Sequence, residues 1–181
     1  MVTSESWQRR ATLRHARFLL GKYLVRRGHA ARMIIEVEAY DGERDLACHA
    51  RVGPTGRTAV MYGPGGFWYV YLCYGVHEML NLVVGPPGWP AAVLIRGIEG
   101  CSGPGRLTRL LGIDRRLNRE PASRTSGLWI EDRGVRVPSR LIEAGPRVGV
   151  TYAGPVWAAK PWRFRIDPRA VRPPGPAPRR D

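Results

Sequence analysis

Glu36, Glu38 and Tyr40 occupy alternate positions in the segment Ile34-Ile35-Glu36-Val37-Glu38-Ala39-Tyr40-Asp41-Gly42. Side chains alternate across an extended chain, so the two carboxylates and the phenol share one face, and Ile35, Val37 and Ala39 share the other. The apolar face suits a core. The acidic face admits two readings: a carboxylate that holds a water beside a flat ligand, or a solvated face whose glutamates pair with arginines. Further on, Phe67 to Tyr74 (FWYVYLCY) is the strongest strand signal, with Tyr69, Tyr71 and Cys73 on one side and Trp68, Val70, Leu72 and Tyr74 on the other. Tyr40, Tyr62, Tyr69, Tyr71 and Tyr74 fall within 35 positions. Flat π-faces are what proteins use to grip an unstacked base. A sheet core with satisfied hydroxyls is the alternative for Tyr69 and Tyr71. Tyr74 differs, because it precedes Gly75 at a strand end, where a side chain projects from a turn. The helix start Gly103-Pro104-Gly105-Arg106 offers free N–H groups and Arg106 to a phosphate.

Other chemistries find no support. There is no G-x-x-x-x-G-K-[ST] and no strand–G-x-G-x-x-G–helix unit, which argues against nucleotide hydrolysis and dinucleotide redox reactions. Cys48, His49, Cys73, His77 and Cys101 match no familiar zinc-ligand spacing, so we expect no metal. The charge is informative. The chain has 181 residues, a net charge of +14 and a pI near 10.9, and Lys22 and Lys160 are the only lysines among 29 basic residues. That excess points to a polyanion, most simply nucleic acid, and arginine's planar fork suits phosphate. A GC-rich genome explains arginine in place of lysine but not the excess of positive over negative charge. The sequence contains no apolar run of membrane-spanning length, and MVTSESWQRR lacks the apolar stretch of a signal peptide. Three widely spaced cysteines suggest no disulfide framework. A cytoplasmic protein without a membrane partner is expected.

The elements that would position these residues follow from periodicity. Thr12 to Leu20 reads as an amphipathic helix, with Leu13, Ala16 and Leu20 inward and Arg14 and Arg17 outward, stopped by Gly21. Tyr23 to Arg27 and Arg32 to Tyr40 read as a hairpin about Gly28-His29. Asp41 to Gly66 is a long irregular connection, with a short helix at Asp45 to Ala50. Met79 to Val84 and Ala91 to Ile98 are strands, the latter carrying Arg96 within an apolar run. A helix runs from Ser102 through Leu111 to Gly112, and Leu128 to Glu131 and Arg147 to Val150 are late strands. Residues 1–166 are expected to form the globular domain, and 167–181 a Pro/Arg-rich disordered tail.

Seven blocks in order, IIEVEAY, CHAR, YGPGGFWYVYLCYGVHEMLN, AAVLIRGIEG, SGPGRLTRLLGI, LWIED and PRVGVTYAGPVWAAKPWRF, resemble the alkyladenine (3-methyladenine) DNA glycosylase family. The resemblance spans about Ala11 to Ile166. It implies a mixed α/β (α+β) single domain with a curved, mainly antiparallel sheet or partial barrel flanked by short helices. It also implies a monomer that excises alkylated or deaminated purines from duplex DNA without a cofactor. By the family's pattern Glu38 is the general base that activates water, and Arg96 and the Val148 backbone help hold that water. Tyr40, His49 and Tyr71 line the base pocket, Asn81 sits at its wall, and Tyr74 is the wedge that fills the gap in the duplex. Arg57, Gly105 and Arg106 are candidates for contacts to the DNA backbone. Neither lysine lies at a pocket position, so a monofunctional hydrolase is expected rather than a Schiff-base lyase. Two departures stand out. Only Gly97 to Ser102 join the Arg96 strand to the Gly103 helix, and Thr55-Gly56-Arg57-Thr58 replaces a usual Thr-Pro-Arg-Asn. A non-catalytic RNA- or tRNA-binding module of similar fold is the competing expectation.

Overall fold

A computed structural model describes residues 7–171. The strands are β1 (Tyr23–Arg26), β2 (Arg32–Asp41), β3 (Trp68–Cys73), β4 (His77–Val83), β5 (Ala91–Ile98), β6 (Cys101–Ser102), β7 (Leu128–Glu131), β8 (Glu143–Gly145) and β9 (Arg163–Arg165). They make one antiparallel sheet in the order β3-β4-β5-β2-β1-β7, with β6 added to β5 and β8 to β9. The helices are α1 (Thr12–Leu19), α2 (Pro104–Leu110) and α3 (Gly154–Ala159). The expected α+β domain with a mainly antiparallel sheet is what forms, open rather than closed into a barrel.

β2 is the central strand. One edge pairs with β5 along its length; the other pairs first with β1, through Tyr23 opposite Met33, and then with β9, through Val37 opposite Phe164. Ten residues of β2 therefore serve three neighbours. The sheet's two faces divide the work. Val37, Ala39, Trp68, Val70, Leu80, Leu82, Val93 and Ile95 turn to the main core, which α1 and α2 cover with Leu19 and Leu107. Burying an aliphatic side chain of this size contributes roughly 1.5–3 kcal/mol, so this face carries most of the stability. The alternate residues face the other way, onto a smaller cluster of Cys48, Ala50, Met61, Tyr69, Val83 and Ala92.

Several local expectations need correction. α1 buries Thr12, His15, Ala16 and Leu19, so its inward stripe is displaced from Leu13, which is half-buried. Asp45 to Ala50 is not helical; a 3-10 turn runs over His49–Val52, because the Asp45 carboxylate accepts from the Asp41 and Ala47 N–H groups and holds the chain in a turn. Arg147 to Val150 is not a strand. Gly149 has φ +74°, Arg147 is buried, and the Val148 N–H is committed to a carboxylate rather than a ladder. The two short strands β8 and β9 and the helix α3 lie in segments not expected to be regular. Val171 packs in the core, so the fold continues at least to residue 171, and residues 172–181 of the expected tail lie outside the described residues. The connection that looked short closes as a hairpin: Gly97 pairs with Ser102 and Ile98 with Cys101.

Candidate active site

Register brings the chemistry together. Tyr69 pairs with Asn81, Asn81 with Leu94, and Leu94 with Glu38, a row crossing β3, β4, β5 and β2 on the face opposite the core. Tyr40 lies opposite Ala92, one step along. Sheet geometry thus lays Glu38, Tyr40, Asn81, Tyr69 and Tyr71 on one surface. Above that surface, the loops after β2 and after β8 enclose a cavity of about 550 Å³. Tyr40, His49, Tyr71, Asn81, Arg96 and Val148 all line it.

Glu38 is 0% exposed yet fully partnered. The Val148 N–H donates to Oε1 at 2.7 Å, and the Tyr40 hydroxyl donates to Oε2 at 2.8 Å. Burial pushes its carboxyl above the usual range; Arg96, the Val148 N–H and the Tyr40 hydroxyl pull in the opposite direction. Arg96 reaches the carboxylates through an irregularity in the ladder. Ile34 pairs with Ile98 and Val37 with Ile95, but Glu36 pairs with Gly97, which leaves Ile35 on β2 and Arg96 on β5 each without a partner. Such bulges re-aim side chains. Here Arg96 Nε comes within 3.4 Å of Glu36 Oε1 and 3.5 Å of Glu38 Oε1. Neither approach meets hydrogen-bond geometry, so the buried Nε–H has no hydrogen-bond partner among the described residues. Glu36 also faces Arg163 from β9, at 3.3 Å. The two glutamates are therefore unequal: Glu36 sits between two arginines, and Glu38 is sealed behind its donors.

The aromatic wall is organised around His49. Its ring lies edge-on to Tyr71, with centroids 4.7 Å apart, and Tyr69 leans on Tyr71 at 5.2 Å. His49 Nδ1 lies 3.0 Å from the Tyr69 hydroxyl, and Nε2 lies 3.1 Å from Arg57 Nη2. A guanidinium only donates, so Nε2 accepts and the ring proton sits on Nδ1, facing Tyr69. Burial, Arg57 and Arg51 lower the His49 pKa to about 4, so the ring is neutral at physiological pH. Arg57 Nε also donates to the Tyr69 hydroxyl at 3.3 Å, and its guanidinium lies 4.7 Å from the Tyr71 ring centre. Asn81 is 3% exposed and donates to the carbonyls of Tyr69 and Met79.

The other expected residues lie around the mouth. Tyr74 is 89% exposed at the tip of the β3–β4 hairpin. Its φ of +50° and the +72° of Gly75, with the Val76 N–H bonded to the Cys73 carbonyl, correspond to a type I′ turn. A bulky residue is strained there, and strain that the fold retains is a pointer to function. Arg106 is exposed at the start of α2. Gly105 serves packing: a Cβ there would meet the His77 ring at 2.9 Å. Arg57, by contrast, turns into the cavity wall.

Asp45 and Arg147 were not anticipated. Both side chains are fully buried; Arg147 clasps both Asp45 oxygens and donates to the Ala39 carbonyl at 2.8 Å. Its guanidinium lies 4.8 Å from the Tyr40 ring centre and 5.0 Å from that of Trp162. It thus supports Tyr40 and fixes the segment whose next N–H, that of Val148, reaches Glu38. The only signal in the sequence was an arginine in an otherwise apolar stretch, which is no signal in so basic a chain.

A family model described as methylpurine-DNA glycosylase matches residues 6–101 and 99–170. A protein of Anaeromyxobacter dehalogenans strain 2CP-C named "Putative 3-methyladenine DNA glycosylase" is 47% identical over 92% of this chain and 84% of its own length. One so named from Myxococcus xanthus is 45% identical over 90% of this chain and 88% of its own length. A "DNA-3-methyladenine glycosylase" of Arabidopsis thaliana is 40% identical over 82% of this chain and 65% of its own length. With a sheet that gathers a sealed glutamate, an arginine and a tyrosine wall around one cavity, and with matches of this extent, the chain belongs to the methylpurine-DNA glycosylase family.

Proposed function

We propose that the chain extrudes an alkylated or deaminated purine from duplex DNA into this cavity and hydrolyses its N-glycosidic bond. The observation that carries the reading is Glu38: a buried carboxylate directly behind the wall of the aromatic cavity, held by the Val148 N–H and the Tyr40 hydroxyl, two residues that line it. A carboxylate so held directs a water at C1′ and steadies positive charge growing on the sugar. The Arg96 Nε–H beside it, without a hydrogen-bond partner among the described residues, is a donor for that water. In the reaction the water oxygen bonds to C1′, the C1′–N9 pair leaves with the purine, and the water proton passes to Glu38. Tyr40 and Tyr71 supply the faces between which the base is held, His49 and Asn81 bound its edges, and Tyr74 occupies the gap in the helix. Neither lysine is available for a Schiff base: Lys22 pairs with Asp132 at 2.8 Å, and Lys160 lies against Trp157 and Trp162. A monofunctional hydrolase follows.

The test is release of free 3-methyladenine or hypoxanthine from modified duplexes by wild type and by Glu38→Gln. The expected result is release by wild type and none by the variant. Tight RNA binding with no base released by either protein would overturn the reading in favour of a non-catalytic RNA-binding module.

A further inference from the structure

The Arg57 guanidinium sits on the wall of the base cavity, tethered by Nη2 to His49 and by Nε to Tyr69, and seated near the face of Tyr71. Two of its five N–H groups are used there, and no further hydrogen bond is made among the described residues. Three donors on a full positive charge are therefore available beside the aromatic faces. We propose that Arg57 is a specificity-determining residue that favours neutral purines with an acceptor edge, such as hypoxanthine with its O6 and N7, over purines that already carry positive charge.

Two physical effects act in the same direction. Arginine's fork matches the O6/N7 edge of a 6-oxopurine, whereas a cationic N-alkylated base meets a like charge at that same edge. The second effect arises at the transition state. When the C1′–N9 bond of a neutral purine breaks, the electron pair leaves the base as an anion, with charge spread towards O6 and N7, until solvent protonates it. A fixed cation at that edge stabilises the developing charge more than it stabilises the ground state, which raises the rate. A base that starts cationic leaves neutral and gains nothing. His49 holds the device in place, because its neutral ring offers Nε2 as an acceptor to Arg57. The Arg57 residue as a whole is exposed at the rim, so its removal leaves the core intact.

This inference rests on the glycosylase reading, and the experiment separates the two. Single-turnover release of hypoxanthine and of 3-methyladenine is measured on matched duplexes for wild type, Arg57→Ala and Arg57→Gln, with thermal unfolding to verify the fold. The ratio of hypoxanthine to 3-methyladenine release is expected to fall at least tenfold in Arg57→Ala, and by an intermediate factor in Arg57→Gln, which keeps a donor without the charge. Equal change on both lesions would overturn the inference, because Arg57 would then be a plug or a backbone contact. So would wild-type release of 3-methyladenine without any of hypoxanthine. Release of no base from either duplex by wild type would instead refute the glycosylase reading.

Discussion

Exchanging Asp45 for asparagine tests whether the buried pair organises the site or only fills space. Asp45 Oδ1 accepts from the Ala47 N–H at 3.0 Å and from Arg147 Nη2 at 2.8 Å; Oδ2 accepts from the Asp41 N–H at 3.1 Å and from Arg147 Nη1. Whichever way an asparagine turns, its amide nitrogen meets one backbone donor and one guanidinium donor. Two hydrogen bonds are lost and a buried cation is left without its counter-charge. Breaking a buried pair in this way costs about 3–5 kcal/mol. For a chain of this size that is a fall in Tm of roughly 6–20 °C. Asp45→Asn is also expected to slow base release about tenfold or more at temperatures where it remains folded, because the Val148 N–H follows Arg147 in the chain and is one of the two donors that hold Glu38. Thermal unfolding and single-turnover release, the latter measured well below the lowered Tm, separate the two effects. A fall in Tm of less than about 3 °C would refute the energetic argument. Full activity in the folded but destabilised variant would refute the link from Asp45 to Glu38.

The rate of base release should decline on acidification with a midpoint above the ordinary glutamate value of 4.5, since burial raises the Glu38 pKa and only the ionised form takes a proton from water. Arg96→Gln removes the strongest opposing influence, so the acid limb should move to higher pH; an unmoved limb would mean that Glu38 is not the titrating base. Tyr74→Asn converts the hairpin tip to Asn-Gly, the preferred pair for a type I′ turn, and is expected to raise stability by about 0.5–1 kcal/mol in urea unfolding. The same variant should lose retention of lesion DNA more than of undamaged DNA, as seen in band-shift titrations. Equal loss on both would show that the ring is a general contact and not a wedge.

The sequence revealed what periodicity and residue type encode. Alternation in β2 and β3 correctly divided Val37 and Val70 from Glu38 and Tyr71, because a strand buried on one face and lining a cavity on the other reads cleanly at period two. The Gly75 turn and the helix ending at Gly112 were legible for the same local reason. Features set by tertiary context were not legible. β9 has one apolar residue in three and exists because the exposed edge of β2 was vacant. Arg147 to Val150 reads as a strand by composition, but a buried guanidinium and a glycine at positive φ hold it as a loop. Arg57 has the type and position of a phosphate contact, and only its hydrogen bonds to His49 and Tyr69 in the folded chain show that it faces inward. Charge along a chain does not reveal which arginine among so many is enclosed.

The position of β2 has a consequence for how the chain comes off the ribosome. The strand bearing Glu38 is synthesised early, together with its hairpin partner β1. Its remaining neighbours arrive late: the Val148 N–H is 110 residues away in sequence, and the Arg163 that faces Glu36 is 127 away. Until those segments dock, Glu38 lacks one of its two donors and β2 lacks part of one edge. A nascent or truncated chain that already carries β3, β4 and their basic surroundings can meet nucleic acid, yet its carboxylate is not set. Docking of the segment around Val148 and of β9 is thus what finishes the setting of Glu38, so the carboxylate is held by both donors only once these late segments have closed around the central strand.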